Sequence, residues 1–393
     1  MKVKIRPEDF VVEEVTDLRP EEEGDYGLYR LTKRGANTLD VLRDLARRMR
    51  VPFSQVGYGG LKDRHALTTQ FVTVKGGPPT TITGRNYRLE YLGRSPVPMD
   101  RNRVKGNRFR IVVRALDAWG GDLAQEVELL RVHGLPNYFD DQRFGSARHG
   151  KGFVARELIL GNYEKALKLL LATPSPWDEK KVKRFRRSVA EKWGQWKDSI
   201  DLAPTEWERR LLEFLSARRP SKATFKKAFS FVPREEMLML MMAYQAFIWN
   251  ETVKELLQRL GVETFGVPYL LGEHHFWRTI PPEIRDLLEE TEVPLPSPRL
   301  VPNAPWGEAM EAVLQREGIP GLPSFRTLIK GGVFKASRRR LLLRPEAFEV
   351  RISEDELHPG RRAAELSFFL PPGAYATLVI KRLFGTGRPA GDE

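Results

Sequence analysis

The chain has 393 residues, and its 65 Lys and Arg residues against 52 Asp and Glu residues give a formal net charge of +13. It contains no cysteine, which excludes disulfides, thiolate metal sites and cysteine nucleophiles and suits a reducing compartment. The longest apolar run, at 237–244, is far shorter than the ~20 residues that span a bilayer, and the first residues lack the apolar core of a signal peptide. We therefore predict a cytoplasmic protein without membrane spans, and the basic excess indicates a polyanionic partner.

The first 115 residues alternate between short strands and a helix. Thr38 is predicted to cap a helix that runs to about Arg50, because apolar side chains recur on one face until Pro52 ends the pattern. Runs of β-branched and aromatic residues predict strands at 10–15, 27–32, 71–74, 87–92 and 109–116. This part of the chain therefore predicts a sheet with flanking helices.

From about residue 120 the pattern becomes helical. The spacing of apolar side chains predicts helices at 123–132, 155–159, 163–171 and 234–260. The last of these is apolar nearly all round at 237–242, so we predict that it is buried.

The C-terminal third returns to strands. A proline-rich passage at 281–305 predicts an irregular connection, and strand-like segments follow at 341–343, 348–352 and 366–369. A helical middle between two strand-bearing ends predicts an α+β protein with an inserted domain, in which both ends share one sheet.

A carboxylate lies between two cations behind a run of glycines. Residues 57–60 read Gly-Tyr-Gly-Gly, and Asp63 then follows between Lys62 and Arg64. Glycine permits backbone angles closed to other residues and lets a bulky ligand approach the main chain. The two cations favour the ionised form of Asp63 and attract an anion such as a phosphodiester. Taken alone, such an aspartate is more often a turn residue than a catalyst.

Four separated segments, in this order, resemble the TruD family of pseudouridine synthases. They are KIRPEDFVVEE at 4–14, GLKDRHALTTQ at 60–70, PNYFDDQRFG at 136–145 and LPPGAYAT at 370–377. Any one of them could occur by chance, but together they span almost the full length of the chain.

The resemblance implies a fold and an activity. The fold is a pseudouridine synthase catalytic domain, with a mixed or antiparallel sheet and flanking helices, at 1–155 and 340–393. It is interrupted by a largely helical, RNA-contacting TRUD insertion domain at 156–339. The activity is the isomerisation of uridine 13 to pseudouridine in transfer RNA, which requires no cofactor and no metal. The partner is therefore transfer RNA, and we expect a monomer, although the sequence leaves the oligomeric state open.

The resemblance also implies site residues. Asp63 matches the catalytic aspartate, and Lys4 matches a basic partner for it. Asn137 and Phe139 match active-site positions, and Tyr375 matches an aromatic that packs on the target base. Asp63 could attack C1′ or remove the 2′ proton, and the sequence does not decide between these routes. Phe139 and Tyr375 could equally be core aromatics, and Asn137 could only stabilise a turn.

Basic residues in four regions are candidates for RNA contact, although each could also be an ordinary solvated charge. They are Lys62, Arg64, Arg101, Arg103, Lys105, Lys183, Arg184, Arg187 and Arg339.

Two local features depart from simple expectations. Asp140 stands where the family usually has glycine, and we expect a turn there that Asp tolerates because it visits left-handed conformations readily. His274 and His275 look like a metal pair, but adjacent residues seldom point at one ion, so we predict no metal site.

Two other functions remain open. A non-catalytic RNA-binding or RNA-remodelling protein on the same scaffold would tolerate Asp63→Asn, whereas a synthase would not. A metal-dependent nuclease would use clustered carboxylates, but Asp9, Glu13, Asp140 and Asp141 form no recognisable ligand set.

Overall fold

The computed structural model describes residues 1–116, 123–145, 147, 151–175, 178–326 and 333–385. The protein is an α+β structure with one large mixed sheet, as the sequence predicted. No helix in these described ranges is both long enough and apolar enough to cross a membrane.

The strands and helices are as follows. The strands are β1 (Lys2–Val3), β2 (Phe10–Thr16), β3 (Tyr26–Arg34), β4 (Val56–Tyr58), β5 (Leu67–Lys75), β6 (Ile82–Thr83), β7 (Tyr87–Ser95), β8 (Val104–Leu116), β9 (Leu135–Pro136), β10 (Phe265–Tyr269), β11 (Gly272–Phe276), β12 (Glu292–Pro294), β13 (Arg338–Arg340), β14 (Leu342–Leu343), β15 (Glu346–Glu354) and β16 (Arg362–Leu370). The helices are α1 (Thr38–Met49), α2 (Leu123–His133), α3 (Val154–Ile159), α4 (Tyr163–Leu171), α5 (Lys180–Glu191), α6 (Glu206–Ser216), α7 (Lys222–Ala228), α8 (Arg234–Arg259), α9 (Pro282–Glu290), α10 (Gly307–Arg316) and α11 (Ala376–Phe384).

The chain divides by packing into two compact units. Unit 1 comprises Met1–Gly134 and Arg344–Val379, and unit 2 comprises Leu135–Leu343 with the chain from Ile380 onward. This division reflects packing alone. The catalytic domain at 1–155 with 340–393 and the insertion domain at 156–339 therefore stay a prediction.

Unit 1 is built on a ten-stranded sheet. Its order is β15-β16-β8-β2-β5-β3-β7-β6, with β1 beside β8 and β4 beside β5. Strands β2 and β5 are parallel, and the other neighbours are antiparallel. Because β16 pairs with β8, strands from both ends of the chain share this sheet, as predicted.

Alternation along the strands places one face of the sheet in the core. In β2, Phe10, Val12 and Glu14 are buried, whereas Glu13 is exposed. Helix α1 packs its apolar face on the sheet, with Leu42 and Leu45 buried in one cluster with strand residues. This packing is the source of most of the stability of such a helix.

The start of α1 differs from the prediction by one residue. The cap is Asn37, whose Oδ1 accepts hydrogen bonds from the Leu39 amide at 2.9 Å and the Asp40 amide at 3.4 Å. Thr38 is instead buried, and its hydroxyl lies 3.1 Å from the Lys62 amide, which donates to it, and 3.2 Å from the Lys62 carbonyl. The cap prediction was wrong because the hydroxyl of Thr38 is used in a tertiary contact.

Unit 2 contains the helices predicted at 155–159, 163–171 and 234–260, the last of which is the 26-residue helix α8, whereas the helix predicted at 123–132 is α2 of unit 1. The prediction of burial all round α8 is wrong at Met239 and Met242, which are 52% and 36% exposed. Met237 and Met241 are fully buried, so the run of methionines has one core face and one solvent face.

The proline-rich passage is more regular than predicted. It contains helix α9 and strand β12, which pairs with β13. Proline is tolerated in the first turn of a helix, where its missing amide would have no partner, so Pro282 can begin α9.

Candidate active site

The predicted catalytic residue lies in a short loop of unit 1 between β4 and β5, which we call the Asp63 loop (residues 60–66). Its main chain is tied down at both ends. The Gln70 amide group donates to the Gly60 carbonyl at 3.3 Å, and the Gly35 amide donates to the Ala66 carbonyl at 3.2 Å. With the Thr38 contacts to Lys62, these bonds fix the loop to β5 and to the start of α1.

Two donors hold the carboxylate of Asp63. The Lys4 ammonium donates to Oδ2, and the His65 amide donates to Oδ1 at 2.8 Å. The side chains of Asp63 and Lys4 are 25% and 27% exposed. The pair is therefore half-buried, yet it remains open to solvent on one side.

The pKa of the Asp63 carboxyl lies below its ordinary value. Burial raises this pKa, but the hydrogen bond and charge of Lys4, together with the His65 amide, lower it by more. Asp63 is accordingly an ionised carboxylate at neutral pH, which both the nucleophilic and the general-base route require.

The sheet explains how Lys4 reaches Asp63. Lys4 precedes β2 and Asp63 precedes β5, and these two strands are parallel neighbours with Val11 opposite Leu67. Parallel strands begin at the same edge of a sheet, so the segments ahead of them meet there. Lys4 also has a left-handed backbone, with φ of 62°, and its ammonium lies 4.2 Å from the centre of the Phe10 ring. Such a backbone is costly for a residue with a side chain and is typical of functional sites.

The neighbouring cations do not act on Asp63 as the sequence suggested. The Lys62 ammonium lies 2.6 Å from Glu14 Oε2 and 2.8 Å from Asn107 Oδ1, and its side chain is only 9% exposed. Arg64 is exposed. The cation that meets Asp63 is thus Lys4, which the resemblance indicated, rather than the sequence neighbours.

The glycines ahead of the loop serve close packing rather than unusual backbone angles. None of Gly57, Gly59 and Gly60 has a positive φ. A Cβ on Gly59 would lie 2.3 Å from Val104, and one on Gly57 would lie 2.7 Å from the Met99 carbonyl oxygen. Gly60 borders open space, which leaves room beside the loop.

Sequence reasoning missed Lys33. This residue is completely buried, and its ammonium donates to the carbonyls of Asp63 at 2.7 Å and Ala36 at 2.9 Å. Burial lowers its pKa from 10.5 to about 8; the charge of Asp63 opposes this shift and that of Lys62 adds to it. The available signal was its position in β3, where Tyr29, Leu31 and Lys33 alternate on the buried face.

In unit 2, Asn137 and Phe139 lie in a buried segment that one guanidinium holds. Arg339 donates to the Asn137 carbonyl at 2.6 Å, to Asn137 Oδ1 at 2.5 Å and to the Tyr138 carbonyl at 3.0 Å. Asn250 exchanges two hydrogen bonds with the main chain of Phe139, at 2.9 and 2.8 Å. The predicted RNA contact Arg339 is therefore part of the scaffold of this segment.

Phe139 is buried, with 6% of the residue exposed. The Arg339 guanidinium lies 4.4 Å from the centre of its ring, and Trp249 meets the ring edge-on at 5.5 Å. Arg339 covers part of the ring. Stacking of a base on Phe139 therefore stays a prediction, and only the rest of the ring surface could serve it. Tyr375 of unit 1 is partly exposed and lies immediately before α11.

Asp140 is buried and bonded, not left-handed as expected. Its φ is −104°, and the side chain is almost fully enclosed. The Lys381 ammonium donates to Asp140 Oδ1 at 2.5 Å, and His274 Nε2 lies 3.3 Å from the same oxygen. The extra carboxylate thus has its own counterion inside unit 2.

The two adjacent histidines have different surroundings. His274 stacks between Tyr138 and Tyr269, with ring centres 4.8 and 3.9 Å away, whereas His275 Nδ1 lies 3.4 Å from the Thr264 hydroxyl. Within the described ranges, no three His, Asp or Glu side chains converge as a metal site.

Two further nuclease candidates, Asp9 and Asp141, have structural partners. Asp9 accepts two hydrogen bonds from the buried Arg114, at 2.9 and 2.7 Å, and Asp141 lies 2.7 Å from the Lys381 ammonium.

The other basic candidates have different surroundings. Lys105 and Arg103 both approach Asp17, at 2.9 and 3.8 Å, while Arg101 is exposed. A cavity of about 440 Å³ on α5, which we call the α5 groove, is lined by Lys180, Lys183, Arg184, Arg187, Ser188, Glu191 and Leu202.

Cations on the other faces of α5 are neutralised. Arg186 pairs with Asp178, and Lys181 lies 3.7 Å from Glu179. No ion pair joins Lys180, Arg184 or Arg187 of the groove to any carboxylate in the described part of the chain.

Comparison with known proteins agrees with this architecture. The family model described as tRNA pseudouridine synthase D (TruD) matches residues 1–265 and 291–383. The chain is 33% identical over 391 residues to "Probable tRNA pseudouridine synthase D 1" of Methanococcus maripaludis, covering 98% of this chain and 99% of the relative. It is 30% identical to the tRNA pseudouridine synthase D of Aquifex aeolicus, covering 98% of each chain.

A solved structure has the same fold. The crystal structure described as that of the tRNA pseudouridine synthase D (TruD) from Methanosarcina mazei superposes with a TM-score of 0.72 at 26% identity, covering 97% of this chain and 92% of that one. The match over nearly the whole length, in sequence and in fold, shows that the chain belongs to the tRNA pseudouridine synthase D (TruD) family.

Proposed function

We propose that the protein is a tRNA pseudouridine synthase that isomerises uridine 13 of transfer RNA, with Asp63 as its catalytic carboxylate. The observation that carries this proposal is the ionised, partly exposed Asp63, held by Lys4 and the His65 amide in a chain of the TruD family. Position 13 rests on the family resemblance alone.

The reaction is balanced within the nucleotide. The N1–C1′ bond breaks, the uracil turns, and a C5–C1′ bond forms; C5 then loses a proton, and N1 is protonated. Nothing is oxidised and no group leaves, so the proposed reaction requires no cofactor and no metal. Asp63 either adds to C1′ and is later displaced, or removes the 2′ proton and later returns it.

The target uridine must leave the base stack before a carboxylate can reach its sugar. From the family resemblance we propose Tyr375 as the aromatic that packs on the extruded base, and Phe139 as a supporting active-site residue. Stacking on an aromatic ring contributes ~1–3 kcal/mol per base, which offsets much of the unstacking cost. On the same ground we propose Asn137, whose side-chain oxygen and carbonyl accept hydrogen bonds from Arg339, as a supporting active-site residue.

We further propose that the α5 groove binds the phosphodiester backbone of transfer RNA. Lys180, Arg184 and Arg187 repel one another in the free protein, and an anionic strand relieves that repulsion while releasing counterions. Of the other basic candidates, Lys62 and Arg339 are weaker RNA contacts, since groups of the protein already occupy them. We propose a cytoplasmic monomer, and light scattering of the free protein would test the oligomeric state.

The direct test uses an unmodified transfer RNA transcript with uridine at position 13, incubated with the protein in EDTA. Pseudouridine is mapped by carbodiimide treatment and primer extension, and a transcript with cytidine 13 is the matched control. We expect one modified position in the first transcript and none in the second. Folded protein that modifies no transcript would overturn the synthase proposal, and modification elsewhere would overturn only position 13.

A further inference from the structure

A completely buried lysine lies directly behind the proposed catalytic residue. Lys33 is 0% exposed, and its ammonium donates to two main-chain carbonyls, those of Asp63 and Ala36. No carboxylate forms an ion pair with it among the residues that the structure describes. Lysine is almost never fully buried unless it is paired, because removing an ammonium from water is expensive.

The contacts of Lys33 link two segments that carry the site. One is the Asp63 loop, and the other is the turn between β3 and α1. Gly35 of this turn and Thr38 at the start of α1 also contact that loop. The Thr38 and Gly35 bonds hold the main chain at Lys62 and Ala66, on either side of Asp63. Only Lys33 holds the Asp63 main chain itself among the bonds described.

We propose that Lys33 is a positioning residue for the reaction, whose charged hydrogen bond to the Asp63 carbonyl fixes where the carboxylate points. This inference rests on the proposed function. It explains the unfavourable burial of the Lys33 charge by the need to position the carboxylate of Asp63 for the reaction. Lys4 holds the carboxylate of Asp63, and the completely buried Lys33 holds the main chain of the same residue. A reacting group displaced by about 1 Å can lose ~10²-fold in rate.

The charge state of Lys33 gives this proposal a distinct readout. Its pKa is lowered to about 8 by burial, while Asp63 opposes that shift and Lys62 adds to it. Charge-assisted hydrogen bonds are about twice as strong as neutral ones, so loss of the proton should loosen the Asp63 carbonyl without removing the amine. Asp63 itself is already ionised at these pH values and cannot produce such a change.

The test measures single-turnover pseudouridine formation at subsaturating protein from pH 7 to 9, in the wild type, Lys33→Met and Thr38→Val. In the wild type we expect the rate to fall several-fold as pH rises through about 8. Lys33→Met should lose ~10²-fold at pH 7, keep its affinity for transfer RNA and show no fall above pH 8. Thr38→Val removes a neutral tie to the same loop and should keep the alkaline fall.

Three results would overturn the proposal. A wild-type rate that is flat from pH 7 to 9 excludes the role of the charge, whatever the variants do. A Lys33→Met protein that is as fast as the wild type excludes the positioning role. A Lys33→Met protein that loses its rate but retains the alkaline fall shows that another group causes it. An inactive wild type would instead refute the proposed function, so the two failures are distinguishable.

Discussion

Lys4 and Asp63 are 59 positions apart in the sequence, yet the ammonium of Lys4 donates a hydrogen bond to Oδ2 of Asp63. The contact exists because the parallel strands β2 and β5 begin at the same edge of the sheet. It keeps the pKa of Asp63 low in spite of burial, and so provides an ionised carboxylate that remains partly exposed.

Removing the Lys4 charge should move the low-pH limb of the pH–rate profile to higher pH. In Lys4→Met the raising effect of burial is opposed mainly by the His65 amide, so the pKa of Asp63 should rise. The carboxylate would then be protonated at a higher pH, and the rate at low pH should fall more than the rate at high pH. The pH dependence of single-turnover rates checks this. Lys2→Met, two residues earlier and exposed, is the control, and an acid limb that is the same in both variants would contradict the role of Lys4.

Arg339 should affect the rate rather than the affinity. Its guanidinium reaches three oxygens of Asn137 and Tyr138, a geometry that a lysine cannot reproduce. We expect Arg339→Lys to lower the single-turnover rate about tenfold or more at saturating protein, with little change in the Kd for transfer RNA.

The exposed neighbour supplies the matched control for this prediction. Arg338→Lys makes the same chemical change on the same strand and should leave rate and affinity alone. If Arg339→Lys instead weakened binding and left the rate intact, Arg339 would be the RNA contact that the sequence suggested.

Charge reversal in the α5 groove should weaken transfer RNA binding and its salt dependence. The double variant Arg184→Glu, Arg187→Glu removes two cations from the groove. The slope of log K against log salt should become shallower by about one for each phosphate that the variant no longer neutralises.

The same helix region offers a control with an identical change in net charge. Lys181→Glu, Lys192→Glu replaces two cations that already pair with Glu179 and Asp198. Filter binding at several salt concentrations compares the two. Equal slopes in both double variants would show that the groove has no special role.

Asp140 should be important for stability. Asp140→Asn removes the buried negative charge that meets Lys381 and His274, although Asp141 stays a second partner of Lys381. A weakened buried hydrogen-bond network of this kind costs ~1–3 kcal/mol. We expect thermal unfolding several degrees lower than in the wild type. Asp201→Asn, at a side chain that is 96% exposed, is the control and should be neutral. An unchanged midpoint in Asp140→Asn would show that the buried pair contributes nothing.

The sequence predicted the sheet and helices well where periodicity is strong. The strands at the two ends and the helices α4 and α8 follow directly from the spacing of apolar residues. The exceptions are residues whose role depends on distant partners. Thr38 looks like a helix cap in the sequence, but its hydroxyl contacts Lys62 instead. Met239 is as apolar as the buried methionines of α8, but it lies on the solvent face of the helix.

The candidate site was predictable only in part for the same reason. The motifs indicated Asp63 and Lys4, because the family resemblance includes both. Lys62 looked like a partner of Asp63 because it is adjacent in the sequence, but its ammonium meets Glu14 of β2 and Asn107 of β8. Lys33 lies in no recognised motif. Its proposed role depends on hydrogen bonds to the main chain of Ala36 and of Asp63, which the sequence does not reveal.

The most direct test of the central claim compares wild type and Asp63→Asn on a transfer RNA transcript with uridine 13, by single-turnover pseudouridine formation and by transcript affinity. Asparagine keeps the size of the side chain and removes the carboxylate. We predict that the variant binds the transcript as the wild type does and forms pseudouridine at least ~10²-fold more slowly. A folded Asp63→Asn protein that modifies the transcript at close to the wild-type rate would contradict the account.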